Sequence, residues 1–216
     1  EFSALVSAGA LNYLDAVELV HKRGLFMTEA CSGGDAGMMA IVGLDDETVE
    51  KICHEERENG KKVWPANYNM DGQLVLAGIK SDLESLQDKF KEAGAKRALV
   101  LDMSVASHCE LLESAVENLR PYLEEYLNDE FEPVVSNVTA EKYSTKDEAI
   151  DLLASQLTEP VKYKQSILNN SDVDLFIEFG NGIVLKGLNR KINKKIPTQN
   201  VSDLKSLEKT IEALND

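Results

Sequence analysis

The sequence predicts an α/β protein built in two parts, and three observations carry that reading. Apolar runs of strand length alternate with amphipathic stretches of helical period along most of the chain. Residues 38–103 follow the order β-α-β-β-α-β, the split βαβ or ferredoxin-like unit. The remainder alternates strand and helix in the manner of a parallel sheet covered on both faces. The expected organisation is a larger parallel-sheet subdomain over 1–30 and 104–216, with a small ferredoxin-like subdomain over 31–103 inserted into it.

Each element has a local reason. Phe2 to Leu14 is apolar and rich in small residues, with no capping residue ahead of it, and reads as one buried helix whose beginning lies elsewhere. Asp15 to Lys22 continues as a helix with Ala16, Val17, Leu19 and Val20 inward, leading into His21-Lys22-Arg23-Gly24. Cys31 to Gly37 is a linker by composition, and Met38 to Val42 a strand. Asp45 to Asn59 is a helix capped by Asp45 or Asp46. Val63 to Asn69 and Gln73 to Ile79 are strands joined by Met70-Asp71-Gly72 as a hairpin. Ser81 to Ala93 is a helix with a Ser81/Glu84 capping box, core positions Leu83, Leu86 and Phe90, and Gly94 as terminator. Ala98 to Met103 closes the unit as its last strand.

Beyond it, Leu112, Val116, Leu119, Leu123 and Leu127 line a long helix that Pro121 is expected to kink. Pro133 to Val138 reads as a short buried strand, and Thr145 to Leu157 as a helix with a Thr145/Glu148 capping box. Asp174 to Phe179 and Ile196 to Val201 are strands, with the helix Ile183 to Ile192 between them. Ser202 to Leu214 ends the chain as a helix with Leu204, Leu207, Ile211 and Leu214 inward.

The 216 residues are 43% hydrophobic and 28% charged, enough for a full core. A net charge of −15 argues against nucleic-acid binding and requires a local basic patch for any acidic partner. Lys186, Arg190, Lys191, Lys194 and Lys195 supply one candidate, against the plainer reading of solvated helix and loop charges. No apolar run approaches the roughly 20 residues of a membrane span, and the first residues lack the basic start of a signal peptide. Three widely spaced cysteines suggest a reducing compartment and no zinc site, so the expected location is cytoplasmic.

The stretch Ala98 to Glu113 concentrates the chemistry. Ser107 and Glu110 have capping-box spacing, which would put His108 at the first position of a helix, outside the carboxyl end of a strand. A helix N-terminus disfavours the imidazolium and would keep the ring available as a base. The plainer reading is a half-exposed histidine that helps start a helix. Cys109 beside it makes a poor nucleophile–base pair, because adjacent helical residues point about 100° apart.

The stretches EFSALVSAGAL, HKRGLFMTEA, ANYNMDGQLVLAG, GAKRALVLDMSVASHC, PVVSNV, SQLTEPV and EFGNGIVLKGL together resemble the bacterial malonyl-CoA:acyl carrier protein transacylase family, in the family's order and across essentially the whole chain. The resemblance implies the acyltransferase (α/β-hydrolase-like) fold for the larger subdomain. It implies two-step transfer of malonyl from coenzyme A to a serine, then to the phosphopantetheine thiol of acyl carrier protein, in fatty acid biosynthesis. Glu1-Phe2-Ser3-Ala4-Leu5 matches the run that follows the family's Gly-His-Ser-Leu-Gly elbow, so the nucleophilic serine is expected just upstream of residue 1.

His108 matches the family's base, and Gln156 the glutamine whose backbone carbonyl orients it in place of a triad carboxylate. Arg23 matches the arginine that pairs with the malonyl carboxylate; pattern alone would make it a helix-terminal surface cation. Asn67 sits where the family lines its cleft, with ordinary hairpin hydrogen bonding as the alternative. Carrier-protein docking falls to Lys186, Arg190 and Lys191. No permanently bound cofactor and no metal are expected, a coenzyme A thioester is the expected substrate, and the expected state is a monomer. Ala106 replaces a proline frequent before the Ser-His pair, which leaves the choice between malonyl and methylmalonyl open. Two other readings compete: a polyketide-type acyltransferase with another extender unit, and an inactive carrier-protein-binding fragment lacking the nucleophile.

Overall fold

The structure, a computed structural model, describes residues 1–215. Its contacts form two compact units, Glu1–Tyr163 and Lys164–Asp216. In the first, helix α1 (Phe2–Ser7) is followed after a turn by α2 (Tyr13–Ala30). The continuous helix expected over Phe2 to Leu14 is therefore broken. Gly9 adopts φ +79°, and the Asn12 side chain accepts from Asp15 N at 3.0 Å as the cap of the new helix. Nor does α2 stop at Gly24: a single glycine costs only about 1 kcal/mol, and the residues after it are good helix formers with Met27 buried.

The four-stranded sheet has the order β2-β3-β1-β4, all antiparallel, from β1 (Ala36–Val42), β2 (Val63–Met70), β3 (Gln73–Ile79) and β4 (Arg97–Val100). Helices α3 (Asp46–Glu58) and α4 (Lys80–Glu92) complete the ferredoxin-like order. Side chains alternate across a strand, and here both sets are buried. Met39, Ile41, Leu74 and Leu76 pack with Val49, Ile52, Leu83, Leu86 and Phe90 of the two helices. Ala36, Met38, Val75 and Ala77 point the other way, into a second core with Leu5, Leu19, Leu119, Leu123 and Leu153. Double burial explains why these strands read as unbroken apolar runs.

Asp45 caps α3, accepting from Thr48 N at 2.8 Å, as expected from the sequence. The Ser81/Glu84 box does not form: α4 begins at Lys80, capped by Ile79 without a side-chain hydrogen bond. Asp82, inside that first turn, instead accepts from Lys62 N at 2.9 Å and ties the helix to the start of β2.

The second core is completed by α5 (Glu113–Tyr126), which runs uninterrupted across Pro121, and α6 (Lys146–Ser155). Between them β5 (Glu130–Val135) pairs antiparallel with β6 (Lys142–Thr145), a strand the sequence reading missed. The strand expected over Pro133 to Val138 thus starts earlier and is mostly exposed, with Val134 its one buried residue. At the start of α6, half a capping box survives. Glu148 accepts from Ser144 N and from the Thr145 hydroxyl at 3.3 and 2.7 Å, which holds its carboxyl below the usual range.

In the second unit, β7 (Phe176–Phe179) and β8 (Thr198–Val201) pair in parallel through the crossover helix α8 (Val184–Ile192), after the short α7 (Tyr163–Asn169). Among the described residues the parallel sheet amounts to this pair. The last helix, α9 (Leu204–Asn215), overturns an expectation: Leu204, Leu207, Ile211 and Leu214 are all exposed, at 76%, 39%, 49% and 59%, while Thr210 is buried. Periodicity identifies residues that share a face; it does not say what covers it.

A Cβ added at Gly78 would lie 2.1 Å from the Lys62 carbonyl oxygen across the β2–β3 pairing. Gly78→Ala is expected to cost at least roughly 1–3 kcal/mol, since a backbone oxygen yields less readily than a side chain. The urea midpoint of the variant checks this.

Candidate active site

The site is assembled by a buried side chain with no charge. Gln156, 4% exposed, directly follows α6, and every polar group of its side chain and its carbonyl is engaged. The His108 ring lies 2.6 Å, Nδ1 to oxygen, from the Gln156 backbone carbonyl. A carbonyl only accepts, so Nδ1 carries the proton and the Nε2 lone pair is left free. The Gln156 Oε1 accepts from Arg23 Nη2 at 3.3 Å, and its Nε2 donates to Asn137 Oδ1 at 2.8 Å and to Glu1 Oε2 at 2.9 Å. Glu1 in turn accepts from Asn137 N at 3.0 Å and from the Tyr143 hydroxyl at 2.6 Å.

His108 is reached differently from the sequence expectation. No Ser107/Glu110 capping box forms and His108 is not the first residue of a helix. A 3₁₀ turn, Glu110–Leu112, comes first and α5 starts only at Glu113. His108 sits instead in the left-handed region at φ +62°, a conformation costing a non-glycine residue about 1–3 kcal/mol. The hydrogen bond to Gln156 and the burial of Ala106 and Cys109 on either side hold it there. What keeps the ring neutral is burial rather than a helix dipole: it lowers the pKa to about 4, with the nearby Arg23 charge acting in the same direction and the Gln156 hydrogen bond opposing.

Arg23 is likewise no helix-terminal surface cation. It lies inside α2 with its guanidinium largely enclosed, its Cζ 5.9 Å from the centre of the Phe2 ring. Its Nε has no hydrogen-bond partner. Burial lowers its pKa, opposed by the Glu1 charge. A largely enclosed guanidinium favours an anionic partner.

His108 also faces a cavity of about 590 Å³, walled by Trp64 and Tyr68 of β2, Glu50 and Arg57 of α3, and Glu159. Asn67, on the same strand, is tied by backbone: it sits at a bulge and bridges in parallel to Val161. Among the described residues, no hydrogen bond joins its side chain to His108, Arg23 or Gln156. Lys186, Arg190 and Lys191 are exposed on α8 of the second unit, the last two in its final turn. Glu1, Asn137 and Tyr143 escaped the sequence reading, although Glu1 and Asn137 stand inside the quoted stretches EFSAL and PVVSNV. Among the described residues no cluster of His, Cys, Asp or Glu could hold a metal ion, and no helix is long and apolar enough to cross a membrane.

A neutral histidine held by a backbone carbonyl and a largely enclosed arginine thus meet on Gln156 in a mixed α/β fold. Residues 1–200 match the Acyl transferase domain, and the chain belongs to that family. It is 41% identical to a malonyl CoA-acyl carrier protein transacylase of Bacillus subtilis over 219 residues, covering 100% of this chain and 69% of that one. To the Salmonella typhimurium protein of the same name it is 44% identical over 196 residues, covering 89% and 63%. The chain thus spans about two thirds of the length of these relatives. Among solved structures, malonyl-CoA:acyl carrier protein transacylase of Helicobacter pylori superposes with TM-score 0.93 at 43% identity, over 100% of this chain and 69% of that one. A malonyl-transacylase solved in complex with its type II PKS acyl-carrier protein superposes with TM-score 0.91 at 37% identity, over 98% and 69%.

The pKa carries a stability consequence. The unfolded ring titrates at its ordinary 6.5 and the folded one at about 4, so between those values the unfolded chain binds more protons. Stability is therefore expected to fall as pH drops from 6.5 toward 4, and His108→Gln to flatten that slope. Urea midpoints across the window check the slope, and the ring's NMR titration checks the pKa.

Proposed function

We propose that this chain serves malonyl transfer from coenzyme A to acyl carrier protein through a serine ester, with no cofactor beyond the thioester substrates. The observation that supports this most is the joint geometry of His108, Gln156 and Arg23: a base with a free Nε2 and a buried carboxylate partner meet on one residue. In this reading the serine lies in the elbow expected ahead of Glu1, and residues 31–103 act as the small subdomain.

His108 Nε2 takes the serine proton as Oγ bonds to the acyl carbon. The carbon–sulfur bond then breaks, and the departing sulfur of coenzyme A receives that proton. The second half runs in reverse: the carrier thiol gives its proton to Nε2 and attacks the ester carbon, the carbon–oxygen bond breaks, and the departing serine Oγ takes the proton back from Nε2. General-base assistance of this kind contributes typically ~10²–10⁴-fold. A carbonyl stabilises the imidazolium less than a carboxylate would, which suffices because a thioester is easier to cleave than an amide.

Arg23 holds the malonyl carboxylate through its guanidinium, and acetyl would leave that cation enclosed and unpaired. Asn67 lines the substrate path in this account, and Lys186, Arg190 and Lys191 dock the carrier protein. The cavity wall fits the uncharged pantetheine arm better than phosphates, since Glu50, Glu110, Glu113 and Glu159 outnumber Arg57 there.

In a protein that also carries the expected serine, radiolabelled malonyl is expected to move from coenzyme A to holo acyl carrier protein and not to move with His108→Ala. Transfer by residues 1–216 alone would argue against a serine ahead of Glu1. A preference for methylmalonyl would instead favour the polyketide-type reading. Arg23→Ala is expected to lower malonyl transfer roughly 10- to 100-fold, the worth of a charge-assisted hydrogen bond, and to relax discrimination against acetyl-CoA. Unchanged discrimination would remove the clamp. Reversing Arg190 and Lys191 to glutamate is expected to raise the KM for carrier protein, most at low salt, with the melting temperature unchanged.

A further inference from the structure

We propose that Glu1, anchored by Tyr143, is a positioning residue of the acyl-transfer site: it selects the sense of the Gln156 carboxamide and thereby aims the Arg23 fork and steadies the His108 ring. The inference rests on the proposed function for its kinetic meaning and on geometry alone for its structural one. A carboxamide has two nearly isosteric orientations, and its surroundings decide between them. Asn137 cannot decide, because its own amide could turn to match either. Arg23 offers only donors, so it requires oxygen toward it but is held at the longer distance of 3.3 Å. Glu1 offers only acceptors, and its Oε2 stands 2.9 Å from Gln156 Nε2.

With Glu1 in place, nitrogen must face the carboxylate and oxygen must face the guanidinium. Turned the other way, the Gln156 amide would press donor against donor at Arg23 and oxygen against oxygen at Glu1. The carboxylate is itself fixed from two sides, by Asn137 N at 3.0 Å and by the hydroxyl of Tyr143, which is 4% exposed and packed edge-on against Phe131 with ring centres 5.9 Å apart. Because Gln156 holds His108 by its backbone and Arg23 by its side chain, whatever fixes Gln156 sets base and clamp together.

Glu1→Gln keeps the shape and removes the acceptor-only character, and Tyr143→Phe removes one anchor of the carboxylate. In Glu1→Gln, malonyl transfer is expected to fall roughly tenfold, the lower end for loss of a charge-assisted hydrogen bond, with discrimination against acetyl-CoA falling too. Tyr143→Phe is expected to fall between Glu1→Gln and the parent in both. The Gln156 side-chain amide signals in a ¹⁵N NMR spectrum are expected to be sharp and slowly exchanging in the parent and broadened in Glu1→Gln. That spectrum reads the network whether or not malonyl is transferred, so failure of the function and failure of the positioning role are told apart. A folded Glu1→Gln protein with unchanged amide signals overturns the proposal. So does one with parental kcat and acyl discrimination but a lowered melting temperature, since that would make the contact merely structural.

Discussion

The 2.6 Å hydrogen bond between the His108 ring and the Gln156 carbonyl is the constraint on which the site depends. It joins residues 48 positions apart, so it exists only once α6 and the loop after β4 have packed on the same core. It also settles the chemistry of the ring. An acceptor at Nδ1 fixes the tautomer, and the fixed tautomer leaves the Nε2 lone pair as the one basic atom. The left-handed backbone at His108 is tolerated because the surrounding structure over-determines it, through that bond and the fully buried Ala106 and Cys109 beside it.

Fold class and most elements were legible in the sequence because they rest on periodicity and capping, which are local. The β-α-β-β-α-β unit could be read to within about three residues at each boundary, with Gln73–Ile79 and the Asp45 cap as expected. Three capping boxes share the same spacing, yet none forms completely. At Ser107/Glu110 and Ser81/Glu84 the neighbouring side chain makes a tertiary contact instead, His108 to Gln156 in one case and Asp82 to Lys62 in the other. Spacing states what a segment can do in isolation, and packing decides whether it does. The exposed leucines of α9 make the same point from the other side.

The three central site residues, Arg23, His108 and Gln156, came from motif resemblance; pattern alone would have made Arg23 a surface cation and left Gln156 unnoticed. No pattern in composition marks a glutamine whose backbone matters for one partner and whose side chain matters for another. Glu1 and Tyr143 were illegible for a related reason. Their role is to satisfy a buried amide, and burial of a particular polar atom is decided only in three dimensions.

Arg23 and His108 are also coupled through charge. The guanidinium is one of the influences that depress the His108 pKa to about 4, well below the range in which a general base works best near neutral pH. Any carboxylate paired with Arg23 offsets that cation and lets the imidazole become more basic, by the same Coulombic interaction with its sign reversed. An acyl group without a carboxylate leaves both penalties standing, an unpaired buried cation and a weakened base. In the proposed reading one arginine therefore bears on recognition and on proton transfer together, and acyl selectivity extends from binding into the chemical step.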